Sequence, residues 1–197
     1  MADQLELVAR LRAGDEDAFV ALVDRYHAPM VRLACGFVPN RAIAEEVVQD
    51  TWLGVVRGIE RFEGRSSLKT WLYSILVKRA RTAGGRERRA ARSDNPPGPT
   101  VPPERFSSDG TWAQPPERWA DDVDARLDAQ YLAPRLRDAI DQLPQAQRQV
   151  VLLRDVEGLD SAEVCTMLGI SQANQRVLLH RGRARVRASI ERDLGKD

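Results

Sequence analysis

Apolar residues recur along much of the chain at the three- and four-residue steps that give a helix one buried face. Leu5, Val8 and Leu11 mark a short first helix, closed by Gly14. Asp15 is placed to cap a second helix that carries Phe19, Leu22, Val23, Tyr26, Met30, Leu33 and Ala34 on its inner face. Pro39-Asn40 interrupts the pattern, and a third helix is predicted over about 42–60. The loop FEGRSS (62–67) leads into a fourth helix with Leu68, Trp71, Leu72, Ile75 and Leu76 inward, whose basic tail is expected to fray at Gly84-Gly85.

The pattern then stops. Residues 93–120 are rich in Pro, Ser, Gly and Asp and cannot bury a compact core, so they read as a linker. Trp112 and Trp119 are unusual in a spacer and offer docking anchors. Helical periodicity returns with Leu136, Ile140 and Leu143, in a helix that Pro134 starts or kinks. The next helix carries Val150, Val151, Leu152 and Leu153 and is ended by Gly158. The expected fold is all-α: two small helical domains, 1–92 and 123–197, joined by a flexible linker at 93–122.

The second domain contains the most specific local pattern. AEVCTMLG reads as a short helix, with Asp160 and Glu163 spaced as a capping box and Gly169 as its left-handed terminator. Ser171 can cap a longer helix, SQANQRVLLHRGRARVRASIE, with Leu179, Val186 and Ile190 inward. A helix, a glycine turn and a second helix in this order form a helix-turn-helix. Gln172, Asn174, Arg176 and His180 lie near the start of the second helix and away from its core face. Asn, Gln and Arg can make bidentate contacts to base edges. Arg181, Arg183, Arg185 and Arg187 extend the charge and suit phosphates. By itself such a helix also fits the solvated face of a bundle; the capped helix and turn before it favour nucleic acid.

Net charge adds little, because 30 basic residues meet 29 acidic ones. Distribution adds more. Lys78, Arg79, Arg81, Arg86, Arg88, Arg89 and Arg92 form one basic cluster, opposed only by Glu87, and 176–192 form another. Two basic surfaces on a neutral chain suggest two contacts with a polyanion. Cys35 and Cys165 are too few for a disulfide framework and lack zinc-ligand spacing; both are expected as reduced, buried thiols. The amphipathic N-terminal segment lacks the apolar run of a signal peptide, and no stretch has the length of a membrane span. The expectation is a cytoplasmic protein without membrane insertion.

These segments, taken in order, resemble the extracytoplasmic-function (ECF) sigma factors of bacterial RNA polymerase. DEDAFVALVDRY and AEEVVQDTWLGV resemble sigma regions 2.1 and 2.2, and FEGRSSLKTWLYSILVKRARTAGGRERR resembles regions 2.3 and 2.4. LPQAQRQVVLLRDVEGLDSAEVCTMLGISQANQRVLLHRGRARVR resembles region 4. The resemblance implies a protein that binds core RNA polymerase and promoter DNA, is often restrained by an anti-sigma protein, and has no cofactor or catalytic residue. Its first domain would recognise and melt the −10 element, its second would read the −35 element, and its linker would thread towards the RNA exit path.

The resemblance assigns residues. Glu45, Glu46, Gln49, Asp50, Leu53 and Arg57 form a face of the third helix beside the core positions Ile43, Val47 and Ile59, and would meet the polymerase. Melting needs a place for an unstacked base and cations for its strand. Arg65, Ser66, Ser67, Lys69, Thr70, Trp71, Tyr73, Lys78 and Arg79 combine these chemistries, though Trp71 on its own suits the core better than a stacking platform. The −35 set is Gln172, Asn174, Gln175, Arg176, His180, Arg181 and Arg183. The chain departs from the common pattern at Lys78, where many relatives have Asn, and at 173–176, where a Gly-Thr-Val-Lys run is usual. Gln175 falls at a usually apolar, inward position, and either turns towards DNA or hydrogen-bonds internally.

Rival readings are a one-component helix-turn-helix regulator, a polymerase-binding module that reads no DNA, and an enzyme. A regulator would bind duplex operator alone, whereas a sigma factor needs core polymerase. His27 and His180 lack a nearby nucleophile or metal cluster, and Glu45-Glu46 lies on a helix face without an evident pocket, which argues against an enzyme.

Overall fold

The computed structural model describes residues 2–90 and 127–194, and side chains from 4–87 and 132–193. The proline-rich segment with Trp112 and Trp119 lies outside the described residues, as do the side chains of Arg88, Arg89 and Arg92. Every regular element among the described residues is helical: α1 (Ala2–Arg12), α2 (Glu16–Cys35), α3 (Arg41–Gly58), α4 (Leu68–Ala90), α5 (Leu127–Asp141), α6 (Gln145–Val151), α7 (Ser161–Leu168) and α8 (Gln172–Leu194). A short 3-10 turn, Ile59–Arg61, follows α3, and a π-helical stretch, Leu152–Val156, follows α6.

Contacts divide the chain into two compact units. One holds α1 to α4 together with Leu152–Ile170, and so includes α7; the other holds α5, α6 and α8. The sequence reading kept 123–197 together. The difference arises because Leu152–Ile170 makes its long-range hydrogen bonds to α4.

In the first unit, local chemistry sets the helix boundaries. Gly14 takes φ +75° and ends α1. Asp15 then caps α2, accepting a hydrogen bond from the Ala18 amide at 3.0 Å. The hydrogen bond from Arg10, with that from the Ala18 amide, holds the Asp15 carboxyl below the usual carboxylate range. Asn40 caps α3 through Ile43, where Pro39 had suggested a break. Leu22, Met30, Leu33, Val48, Val55, Leu72 and Leu76 close the core, and Phe19 meets Trp52 edge-on at 5.8 Å. The Arg12 guanidinium donates to the Ile59 and Phe62 carbonyls, tying α1 to the turn after α3.

Four expectations change. Leu5 is exposed and takes no part in the core with Val8 and Leu11. Ile43 is only half-buried. Cys35 and Cys165 are both half-buried thiols. The fourth helix does not fray at Gly84-Gly85 but continues to Ala90. Gly84 is buried, and a Cβ there would collide with the Phe37 carbonyl oxygen. The missing side chain thus allows α4 to pass against the turn after α2, and this packing outweighs the low helix propensity of glycine.

In the second unit, α6 and α8 pack closely because Gly182 has no side chain. A Cβ at this position would stand 2.7 Å from Val151 Cγ2. Pro134 lies inside α5 and neither begins it nor ends it. Leu179, Val186 and Ile190 are buried, as their spacing indicated. The ends of α7 and α8 follow the sequence too. Asp160 and Glu163 form a reciprocal capping box, Gly169 adopts φ +65°, and Ser171 Oγ accepts from the Asn174 amide at 3.2 Å.

Candidate nucleic-acid interface

The outer face of α3 follows from its helical step. Val47, Val48, Thr51, Trp52 and Val55 face inward, which turns Glu46, Gln49, Asp50, Leu53 and Arg57 to solvent, with Glu45 half-buried. Thr51 is fully buried without cost, because its hydroxyl donates to the Val47 carbonyl at 2.7 Å. Leu53 is the informative member of the outer face. It is 54% exposed amid charged and amide neighbours, and Val56, one turn further on, is equally exposed. Apolar side chains left in water on a polar face suit a partner surface. Arg41 pairs with Glu45 at 2.8 Å across one turn; both are solvated, so the pair adds little stability.

A polar groove separates α3 from α4. Glu46 and Asp50 line one side, and Lys78, Arg79 and Arg86 the other. Arg79 reaches Asp50 at 3.8 Å. Gly54 makes room for its guanidinium, since a Cβ there would lie 2.6 Å from Nη2. The groove therefore brings two residues of the expected polymerase-facing set, Glu46 and Asp50, beside two of the expected DNA-facing set, Lys78 and Arg79.

The loop before α4 and its first turns carry the proposed −10 set. Ser67 acts as the N-cap of α4, with its Oγ accepting from the Thr70 amide at 3.0 Å. Arg65 is exposed and paired with Glu63; Ser66 is half-buried and Ser67 exposed. Trp71 is half-buried, lies 5.2 Å from the Phe62 ring and rests against Gly58, an arrangement that serves the core. Lys78 is exposed and Arg79 half-buried.

Lys69, Thr70 and Tyr73 have a different environment from the open surface expected of strand-binding residues. Tyr73 is 1% exposed, and its hydroxyl donates to Glu157 Oε2 at 2.5 Å. Burial, reinforced by the Glu157 carboxylate, pushes the Tyr73 hydroxyl well above its ordinary range, so it remains a proton donor. Lys69 Nζ donates to the Glu157 carbonyl at 2.5 Å and lies 3.5 Å from its carboxylate. Thr70 Oγ1 donates to Glu163 Oε1 at 2.7 Å. Glu157 and Glu163 had no place among the sequence-derived site residues. Each is 84 or more positions from its partner on α4, and no local spacing marks such a pairing.

On α8, Gln172, Asn174, Arg176, His180 and Arg183 are exposed, and Arg181 is half-buried. Gln175 departs from the −35 set. It is 2% exposed and takes the inward place of the usual apolar residue, so it offers no edge to a base. The helical step requires this: Gln175 is four residues before Leu179, on the buried face.

Comparison with known proteins identifies the family. Residues 22–90 match Sigma-70 region 2, and residues 134–186 match Sigma-70, region 4. The chain belongs to the ECF sigma factors, the proteins that direct bacterial RNA polymerase to promoters. The RNA polymerase sigma factor CarQ of Myxococcus xanthus is 32% identical to it over 90% of this chain and 92% of its own length. The ECF RNA polymerase sigma-E factor of Haemophilus influenzae is 29% identical, over 97% and 98%. In fold, the chain is similar to the sigma factor RpoE of Bartonella quintana, solved in complex with the anti-sigma factor NepR. That match has a TM-score of 0.56 at 20% identity, over 88% of this chain and 96% of that one.

Proposed function

We propose that this sigma factor divides promoter recognition between α4 and α8 while α3 holds the polymerase. The observation that carries the reading is the outer face of α3. Glu46, Gln49, Asp50, Leu53 and Arg57 point to solvent together, and the adjoining groove leads to the cations of α4. Arg65 and Lys78, both exposed, would lie on the path of a melted −10 strand; Lys69, Thr70 and Tyr73, held by Glu157 and Glu163 in this structure, would add its hydrogen-bonding and stacking floor once released. Arg176, Asn174 and Gln172 would read −35 base edges in the major groove, and Arg183 would hold a phosphate.

The linker of 93–122 would join the two functions across the polymerase. The protein would act in the cytoplasm on core RNA polymerase and promoter DNA, with no catalytic residue or cofactor of its own. No described helix is long and apolar enough to cross a membrane. Restraint by an anti-sigma protein, as in the RpoE complex, fits the same exposed faces.

The −10 assignment predicts a graded loss of melting. In holoenzyme on a cognate promoter, Arg65→Ala with Lys78→Ala should lower the permanganate reactivity of −10 thymines about tenfold, the equivalent of about 1.4 kcal/mol shared by two cationic contacts. Reactivity equal to wild type, at equal polymerase occupancy, would remove both residues from the strand path.

A further inference from the structure

Within the first unit, one stripe of α4 is covered by a segment remote in sequence. Lys69, Tyr73, Val77 and Arg81 follow one another at four-residue steps and therefore share a face. Leu152–Ile170 lies along it. Glu157 stands at the first two positions, bound by the Tyr73 hydroxyl and the Lys69 ammonium. Glu163 accepts from Thr70 beside them. Val77 is 1% exposed. At the far end, Arg81 Nη1 donates to the Met167 carbonyl at 3.0 Å, in the last turn of α7, where a cation is favoured by the orphan carbonyls and the helix dipole.

The chemistry of this cover matters as much as its extent. Lys69 and Tyr73 offer a cation and a hydroxyl, with the ammonium 5.5 Å from the tyrosine ring. Both engage the carboxylate of Glu157, which is 8% exposed. On the strand-binding reading of Lys69 and Tyr73, an anionic oxygen held between a lysine and a tyrosine occupies the place that a strand phosphate would take.

We propose that Leu152–Ile170 is an autoinhibitory cover in which Glu157 and Glu163 stand in for the single-stranded DNA backbone. The free sigma factor is thereby closed to the −10 strand until the segment lifts from α4. This inference rests on the reading of Lys69, Thr70 and Tyr73 as strand-binding residues. Its thermodynamic consequence is simple: apparent affinity for single-stranded DNA is reduced by the fraction of chains that are open. The cover is tied by charge as well as by packing, so neutralising Glu157 raises that fraction.

The test uses the full chain. A zero-length carbodiimide should join Lys69 to Glu157 in the free wild-type protein, seen by peptide mass spectrometry; failure to find this amide would overturn the cover itself. Binding of a fluorescein-labelled pool of random single-stranded DNA is then followed by anisotropy. Glu157→Ala should bind about tenfold more tightly than wild type. Glu60→Ala, which makes the same charge change at an exposed turn, should leave the affinity within about twofold of wild type. Equal affinity for Glu157→Ala and Glu60→Ala would overturn the occlusion. Adding Arg65→Ala and Lys78→Ala to Glu157→Ala separates the two ideas. If these weaken binding while Glu157→Ala alone gives no gain, the strand path stands and the cover fails. If they leave binding unchanged, the strand path fails, and the inference fails with it.

Discussion

Leu53→Asp should lower the affinity of the protein for core RNA polymerase about thirtyfold, or about 2 kcal/mol, the loss typical of a central interface residue. The argument is one of desolvation. Leu53 is 54% exposed in the free chain, so an aspartate there is solvated and leaves the fold intact. When α3 meets its partner the new carboxylate must shed water, a cost that a helix-surface pair with Arg57 one turn further on offsets only in part. It would also join Asp50 and Glu46 on an already acidic strip of the helix. Affinity can be followed by competition with a labelled sigma factor for purified core enzyme, with far-UV circular dichroism as the folding control. Wild-type affinity in a folded Leu53→Asp protein would place the polymerase contact elsewhere.

The second large effect separates base reading from phosphate holding on α8. Arg176→Ala should cost about 1–3 kcal/mol at the preferred −35 sequence and flatten the preference at one base position. Arg183→Ala should weaken every sequence alike and reduce the slope of log affinity against log salt by about one contact. The two residues are both exposed and lie about two turns apart, so their difference is one of depth along the groove rather than of burial. The measurement is promoter affinity of holoenzyme across single-base −35 variants at several salt concentrations. A uniform loss from Arg176→Ala with an altered preference from Arg183→Ala would reverse the orientation of α8 in the groove.

What could be read in the sequence was whatever is fixed by near neighbours. The caps at Asp15, Asp160 and Ser171 and the left-handed Gly169 involve residues within a few positions, and all stand where their spacing put them. The outer face of α3 was legible for the same reason, because one helical period decides which residues face water. Contacts between remote residues were not legible. Gly84-Gly85 looks like a helix breaker until the Phe37 carbonyl is seen against it. Gln175 has the chemistry of a base reader, but it falls in the inward register set by Leu179. Tyr73 looks like a stacking platform, but it is buried, with its ring edge-on to Tyr26 and its hydroxyl held by Glu157, 84 residues away.

Transcription itself tests the central claim most directly. Purified core RNA polymerase is supplied with a supercoiled promoter library, with and without this protein, and the 5′ ends of the transcripts are mapped. A sigma factor built as described should create a set of start sites absent from core alone, preceded by shared −10 and −35 sequences. Identical start-site profiles in the two reactions, from a protein shown to bind core, would contradict it.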